Sequence, residues 1–188
     1  TAVLVYLHVS IAVPLLACGP SFAERASGVP FDELVLQRVC EPTGMRDSGF
    51  FRSDELPERA AVGYIDGSRT NVFTLPVRGS GDGGIYSTVA DIHSLWRSFF
   101  AAEIVSADWV KEMVRPRSES EDRRYGLGLW LDATTEAVMF VGMDAGVSFW
   151  SKHDPRSGVT ATVVANTSDG AWPIARRLRD RDTAPESG

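Results

Sequence analysis

Lysine is nearly missing from this chain. Of 188 residues only Lys111 and Lys152 carry an ε-amine, and the rest of the basic charge is arginine. With 19 Lys plus Arg against 25 Asp plus Glu, the net charge is −6, which leaves no basic surplus to neutralise phosphates. Nucleic acid is therefore not an expected partner. Cysteine is scarce too: Cys18 and Cys40 lie far apart without a C-x-x-C pair, which rules out reading a disulfide framework or a cysteine zinc site. His8, His93 and His153 form neither H-x-H nor H-E-x-x-H, so no metal and no other cofactor is expected. Nor is there a long hydrophobic run. The longest, residues 2–18, is interrupted by His8 and Pro14 and falls short of the roughly 20 apolar residues that a membrane helix needs. It is expected to be a buried helix or strand segment, and no membrane partner is expected, although Leu15-Leu16-Ala17-Cys18 resembles a bacterial lipoprotein cleavage site. Because the first residue is Thr1, a start inside a longer frame or a processed product is expected.

What is present suits a folded domain, with 44% hydrophobic and 23% charged residues. The expected organisation is an atypical apolar segment at 1–21, a folded part at 22–182 and a frayed tail at 183–188. A short helix at 22–27 should end at Gly28. Phe31, Leu34, Val35 and Val39 recur at helical spacing after Pro30, with Asp32 and Glu33 in the first turn, until Pro42 and Gly44 stop the helix. Residues 45–80 are dense in punctuation and read as an irregular loop with one short strand near 61–64. Thr88 and Asp91 then fit a capping box, opening a helix whose buried face holds Val89, Ile92, Leu95, Trp96, Phe99 and Phe100. A second helix follows from the N-cap Ser106 through Trp109, Val110 and Met113.

Beyond Pro116 the period changes from helical to extended. Residues 125–131 and 137–141 read as strands, and 147–153 should pair with 159–165 across the turn at 154–158. Trp172, Ile174, Ala175 and Leu178 mark a closing helix whose arginines, Arg176, Arg177, Arg179 and Arg181, form a solvated face. Trp96, Trp109, Trp130 and Trp150 are expected in the core, His93 at an interface or in the core, and His153 in a structural or solvent-facing position. The glycine-rich stretch 79–84 lacks the Lys-Ser/Thr of a phosphate cradle, and Asn166-Thr167-Ser168 fits a glycosylation pattern that a plain turn also explains.

The order of four segments carries a family likeness: P-F-D-E-L-V-x-x-R-V-x-E-P-x-G-M ending at Met45, G-G-I-Y-S-T-V-A-D from Gly83 to Asp91, S-A-D-W-V from Ser106, and Y-G-L-G-L-W from Tyr125. Together with V-V-A-N-T at 163–167 they resemble the serine β-lactamase-like, penicillin-binding-protein-like hydrolases, relatives of class C β-lactamases and DD-peptidases. The resemblance runs from about residue 22 to 178. It implies an α+β fold, an antiparallel sheet packed with helices, as in the C-terminal α/β lobe of those proteins. It also implies acyl-enzyme hydrolysis of β-lactams, D-amino-acid peptides or simple esters, hence a small-molecule or peptide substrate for the complete family member.

That chemistry uses Ser and Lys one helical turn apart in S-x-x-K, a Tyr in Y-x-N, and a basic residue with Thr or Ser and Gly on a sheet strand. Three residues before Lys111 stands Asp108, and three before Lys152 stands Phe149, so S-x-x-K does not occur here. Tyr6, Tyr64, Tyr86 and Tyr125 are followed two positions on by His8, Asp66, Thr88 and Leu127, so Y-x-N does not occur either. The third motif has two possible registers, Asp144-Ala145-Gly146 or Phe140-Val141-Gly142, and neither starts on a basic residue. The resemblance implies substrate-binding positions at Asp144, Ala145, Gly146, Val147 and Ser148. The chain alone is expected to be a catalytically silent part of a serine hydrolase. The alternatives are a non-catalytic peptide- or glycan-binding pseudo-enzyme module and a piece that does not fold stably.

Overall fold

A computed structural model describes residues 5–7, 19–81, 83–119 and 124–182, with side chains between 22 and 179. In chain order the elements are β1 (Val5–Leu7), α1 (Gly19–Ser27), α2 (Phe31–Val35), a π-helical stretch (Leu36–Cys40), α3 (Glu41–Thr43), β2 (Ile85–Ser87), α4 (Val89–Phe100) and α5 (Ala107–Met113). There follow β3 (Ser118–Glu119), β4 (Arg124–Tyr125), β5 (Trp130–Leu131), β6 (Val138–Asp144), β7 (Val147–His153), β8 (Thr160–Ala165) and α6 (Ala171–Asp182). The last six strands form one antiparallel sheet in chain order, while β1 pairs with β2.

Alternation along the strands gives the sheet two different faces. Val138, Phe140 and Phe149 point toward α4 and α5, where they meet Ile92, Trp96, Phe99 and Val110. Val141, Trp150 and Val163 point the other way and meet Ala171, Ala175 and Leu178 of α6. Trp96 is the best-enclosed large side chain of the first face, only 1% exposed. Its indole donates to Ser151 Oγ at 2.8 Å, stacks on Phe140 at a centroid distance of 4.5 Å and lies 6.0 Å from the His153 ring. Ser151 is in turn shared with Thr162 Oγ1 at 2.9 Å, so a single polar chain crosses from helix to β7 to β8.

The expected meander, both core helices and the closing helix are all found, with instructive differences. Residues 125–131 do not make one strand. Gly126 N–H bonds back to Leu129 O and Gly128 takes φ +79°, so the alternating apolar pattern is folded into a tight hairpin between β4 and β5. The 31–40 helix runs on to Thr43 through a π-helical stretch, because Pro42 cannot donate to a carbonyl four residues back and the ladder widens ahead of it. Only half of the capping box forms: Asp91 N–H donates to Thr88 Oγ1 at 3.1 Å. The Asp91 carboxylate turns away to accept from Asp47 N–H and Ser48 Oγ, at 2.9 and 2.7 Å.

Trp109 and His93 are exposed rather than interior, each lying on the solvent side of its helix. Trp130 is half-buried, and Val89, at the first position of α4, is half exposed. His153, by contrast, is buried: its Nδ1 pairs with Thr160 Oγ1 at 2.8 Å and its ring stacks on Phe100. Strand β2 had no clear signal, since three residues are too few to show a period. The 61–64 strand is reduced to bridges of Tyr64 with Thr70 and Thr167. Of the apolar 1–21 segment, Val5–Leu7 and the start of α1 are described. His8, Cys18, the 15–18 cleavage-like stretch and the 183–188 tail lie outside the described residues. Among the described residues no helix is long and apolar enough to cross a membrane.

Burial holds the His153 imidazole below its ordinary value, outweighing the opposite pull of Asp154, while His93 adds to the lowering. Below the unfolded value near 6.5 the unfolded chain takes up a proton that the folded chain refuses, so stability falls as pH drops from 7 toward 5. Urea unfolding across that range should show stability falling with pH by less than the roughly 1.4 kcal/mol per pH unit of a full proton, a contribution that His153→Phe removes. An unchanged slope in the variant would contradict the assignment.

Candidate active-site wall

Strand β6 is paired along its whole length with β7, yet β5 reaches only its first two residues, through Trp130 opposite Met139 and Leu131 opposite Val138. Residues 140–144 therefore have a ladder partner on one side only, an edge that ends at the Ala145-Gly146 turn. Edges of this kind offer main-chain N–H and C=O groups to an extended ligand. Side chains along it alternate as expected: Phe140 is half-buried against Trp96, Gly142 is enclosed, and Met143 is exposed.

The turn itself is clamped from both sides. Asn71 Nδ2 donates to Ala145 O at 2.9 Å, Gly146 N–H donates to Ser168 Oγ at 2.8 Å, and Ser168 Oγ donates to Asp144 O at 3.1 Å. Asp144 Oδ1 accepts from Ala145 N–H at 2.7 Å. Ser148 Oγ donates to Thr167 O at 2.8 Å and accepts from Ala171 N–H at 3.0 Å, the first residue of α6. Beneath the turn, Gly63 sits so close that a Cβ there would collide with Gly146 O and Asn71 Nδ2. Gly146 takes φ +75°, and a side chain on it would press on Tyr64 N.

These contacts locate the five expected substrate-binding residues. Val147 packs with Leu75 and Tyr86 in the interior, and Ser148 is 1% exposed with its hydroxyl bonded both as donor and as acceptor. Asp144 and Ala145 are the partly exposed residues of the turn, and Gly146 is buried. In the second register, Phe140-Val141-Gly142 lies on the edge strand, and its first side chain is a phenyl ring committed to Trp96. The roles of Asn71, Gly63 and Ser168 were not readable beforehand, since Asn71 and Gly63 act across 74 residues or more and Ser168 across 22, where no local pattern points to the turn.

Both lysines pair with carboxylates. Lys111 Nζ donates to Asp108 at 3.1 Å on the surface, and Lys152 Nζ donates to Asp132 Oδ2 at 3.3 Å inside the sheet. Burial would raise the Asp132 carboxyl, but the Thr134 N–H, the Lys152 charge and the Thr135 N–H together bring it down to about 2. Ser87, Ser98, Ser148 and Ser151 are all fully enclosed, out of reach of a substrate carbonyl.

A sequence profile of the family described as Beta-lactamase matches residues 21–184. The chain belongs to the beta-lactamase family. Among solved structures it is similar to a penicillin binding protein from Bacillus halodurans, at 34% identity and TM-score 0.80, covering 84% of this chain and 51% of that one. It shares the fold of the D-amino acid amidase from Ochrobactrum anthropi SV3, at 22% identity and TM-score 0.70, covering 88% of this chain and 56% of that one. PbpX of Bacillus subtilis (strain 168), named as a penicillin-binding protein, is 28% identical over 112 residues, which is 57% of this chain and 27% of PbpX. This beta-lactamase-family chain thus spans about half the length of the solved relatives and about a quarter of PbpX. The family likeness and the α+β fold read from the sequence are both found.

If the clamp positions the turn, Gly63→Ala should destabilise the protein by about 2 kcal/mol or more, since backbone has to move to admit the methyl group. Gly67→Ala, in the same loop with open space around it, should cost no more than about 0.5 kcal/mol. Equal midpoints for the two variants in urea unfolding would remove the clamp from the account.

Proposed function

We propose that this chain is the sheet-bearing lobe of an acyl-serine hydrolase, contributing one wall of the substrate cleft through the β6 edge, and that it is silent as an isolated polypeptide. The observation that carries the reading is the clamped hairpin. An edge strand is held at fixed height by Asn71 and Ser168, while no serine in the sequence has a lysine three residues on. The wall's role is positional. Main-chain groups of residues 140–143 would align an acyl group and polarise its carbonyl, which is the part of acyl transfer that preorganised N–H donors perform. Removal of a proton from a nucleophile needs a base, and no serine in the sequence stands three residues before a lysine that could serve as one.

The unpaired edge of β6 favours one of the two registers. Phe140-Val141-Gly142 takes the ligand-facing position, and Asp144, Ala145, Gly146, Val147 and Ser148 hold it in place from behind. With a phenyl ring where the family resemblance implies a basic residue, the first motif position supplies no cation for a substrate carboxylate. Uncharged esters or amides are therefore the favoured substrate class of the complete protein, ahead of β-lactams and peptides that present a free carboxylate.

A second reading rests on that edge alone. Residues 140–144 could pair with an extended peptide by strand addition without any chemistry, as a binding module. The two readings share a prediction for the isolated chain. Incubated with a fluorescent penicillin or a chromogenic ester, the 188-residue protein should show no covalent labelling and no burst. A stable acyl adduct on any side chain, seen as a mass shift, would overturn the claim of silence.

A further inference from the structure

Strand β2 is short, yet it is the middle member of a ladder. On one side Tyr86 N–H donates to Gly49 O at 2.9 Å and Gly49 N–H donates to Tyr86 O at 3.0 Å. In an antiparallel ladder both main-chain groups of a residue point to the same side, and those of the next residue point to the other. Ile85 and Ser87 therefore turn their N–H and C=O groups away from Gly49 and toward β1. The register there is Val5 opposite Ser87, Tyr6 opposite Tyr86 and Leu7 opposite Ile85. Val5 and Leu7 are thus the residues that exchange main-chain hydrogen bonds with β2, whereas the main chain of Tyr6 faces away from it.

The accepting strand is held rigidly. Tyr86 is buried against Leu75 and Val147, Ser87 is buried with its hydroxyl on Ser48 Oγ at 2.7 Å, and Thr88 caps α4 directly after it. The outward main-chain groups of Ile85 and Ser87 have no freedom to turn elsewhere, and a buried main-chain group without a partner is costly. The strand that meets them differs in kind. It lies ahead of residues 21–184, the part of the chain that matches the family profile, whereas β2 lies within that part. Its sequence surroundings, Ala2-Val3-Leu4-Val5-Tyr6-Leu7, are apolar and rich in strand formers. It also comes up against β7, whose Val147 packs on Tyr86. A ribbon this short is marginal by itself in water, so a fixed edge is here met by a weakly held segment.

We propose that the outer edge of β2 is a strand-acceptor site for an extended apolar segment, and that Val5–Leu7 fills it as a plug carried on the same chain. Displacing the plug opens the edge to the same segment supplied in trans, by strand addition. The inference is independent of the acyl-transfer reading. Amide hydrogen exchange of the full chain, resolved at residues 85, 86 and 87, tests it. Leu7→Pro removes an N–H that faces β2, so Ile85 and Ser87 should exchange at least about tenfold faster while Tyr86, bonded to Gly49, keeps its rate. Tyr6→Pro removes an N–H that faces away and should leave all three amides as they are. A synthetic peptide of residues 2–9, added to the Leu7→Pro protein, should restore slow exchange at Ile85 and Ser87 saturably. The same peptide N-methylated at the Leu7 amide should not. The proposal fails if Leu7→Pro leaves Ile85 and Ser87 unchanged, if Tyr86 opens together with them, if Tyr6→Pro is as disruptive as Leu7→Pro, or if the peptide restores no protection.

Discussion

Everything on the α4 side of the sheet depends on where Trp96 puts its indole. Helix α4 presents it to the seam between β6, β7 and β8, where one N–H meets Ser151 and one ring face meets Phe140. Burying an aromatic side chain removes about 200 Å² from water, worth roughly 5 kcal/mol before entropy is counted. The hydrogen bond adds direction to that non-directional attraction, because a buried indole N–H without a partner would cost about 1–3 kcal/mol. Sheet and helix can meet in one register only, and the β6 edge inherits its position from that meeting.

The proposed silence of the chain follows from a division of labour within the beta-lactamase family. Acyl transfer needs both a preorganised surface and an activated nucleophile, and these can reside on different parts of the chain. Here the surface is built with care: a turn clamped by Asn71 and Ser168, a strand edge open on one side, a ring stacked behind it. The lysines serve other ends, Lys152 as the buried partner of Asp132 and Lys111 as a surface partner of Asp108. A buried pair such as Lys152 with Asp132 adds little net stability, but loss of one partner would leave a charge stranded in the sheet.

Much of this fold could be read from the sequence because its signals are local. Capping residues Thr88 and Ser106, the period of Ile92, Trp96 and Phe99, and the turn at 154–158 each act within a few residues, and each element formed as expected. Failures came where tertiary contacts override local pattern. Asp91 abandons the second half of its capping box for Ser48 and Asp47, which only the folded chain brings near. Residues 125–131 alternate like a strand, yet Gly126 and Gly128 make a hairpin cheaper than an extended run. For the candidate site, the sequence offered the hairpin and two registers, Asp144-Ala145-Gly146 and Phe140-Val141-Gly142. The choice between them depends on Asn71 and Ser168, whose bonds to the turn span 74 and 22 residues.

The lobe holds its own shape, with Trp96 closing one face of the sheet and Trp150 closing the other. Thermal unfolding of the 188-residue chain, followed together by near-ultraviolet circular dichroism and tryptophan fluorescence, tests that claim directly. A single cooperative transition, coincident in both signals, is the result predicted. A featureless trace, or two signals that part company, would contradict it.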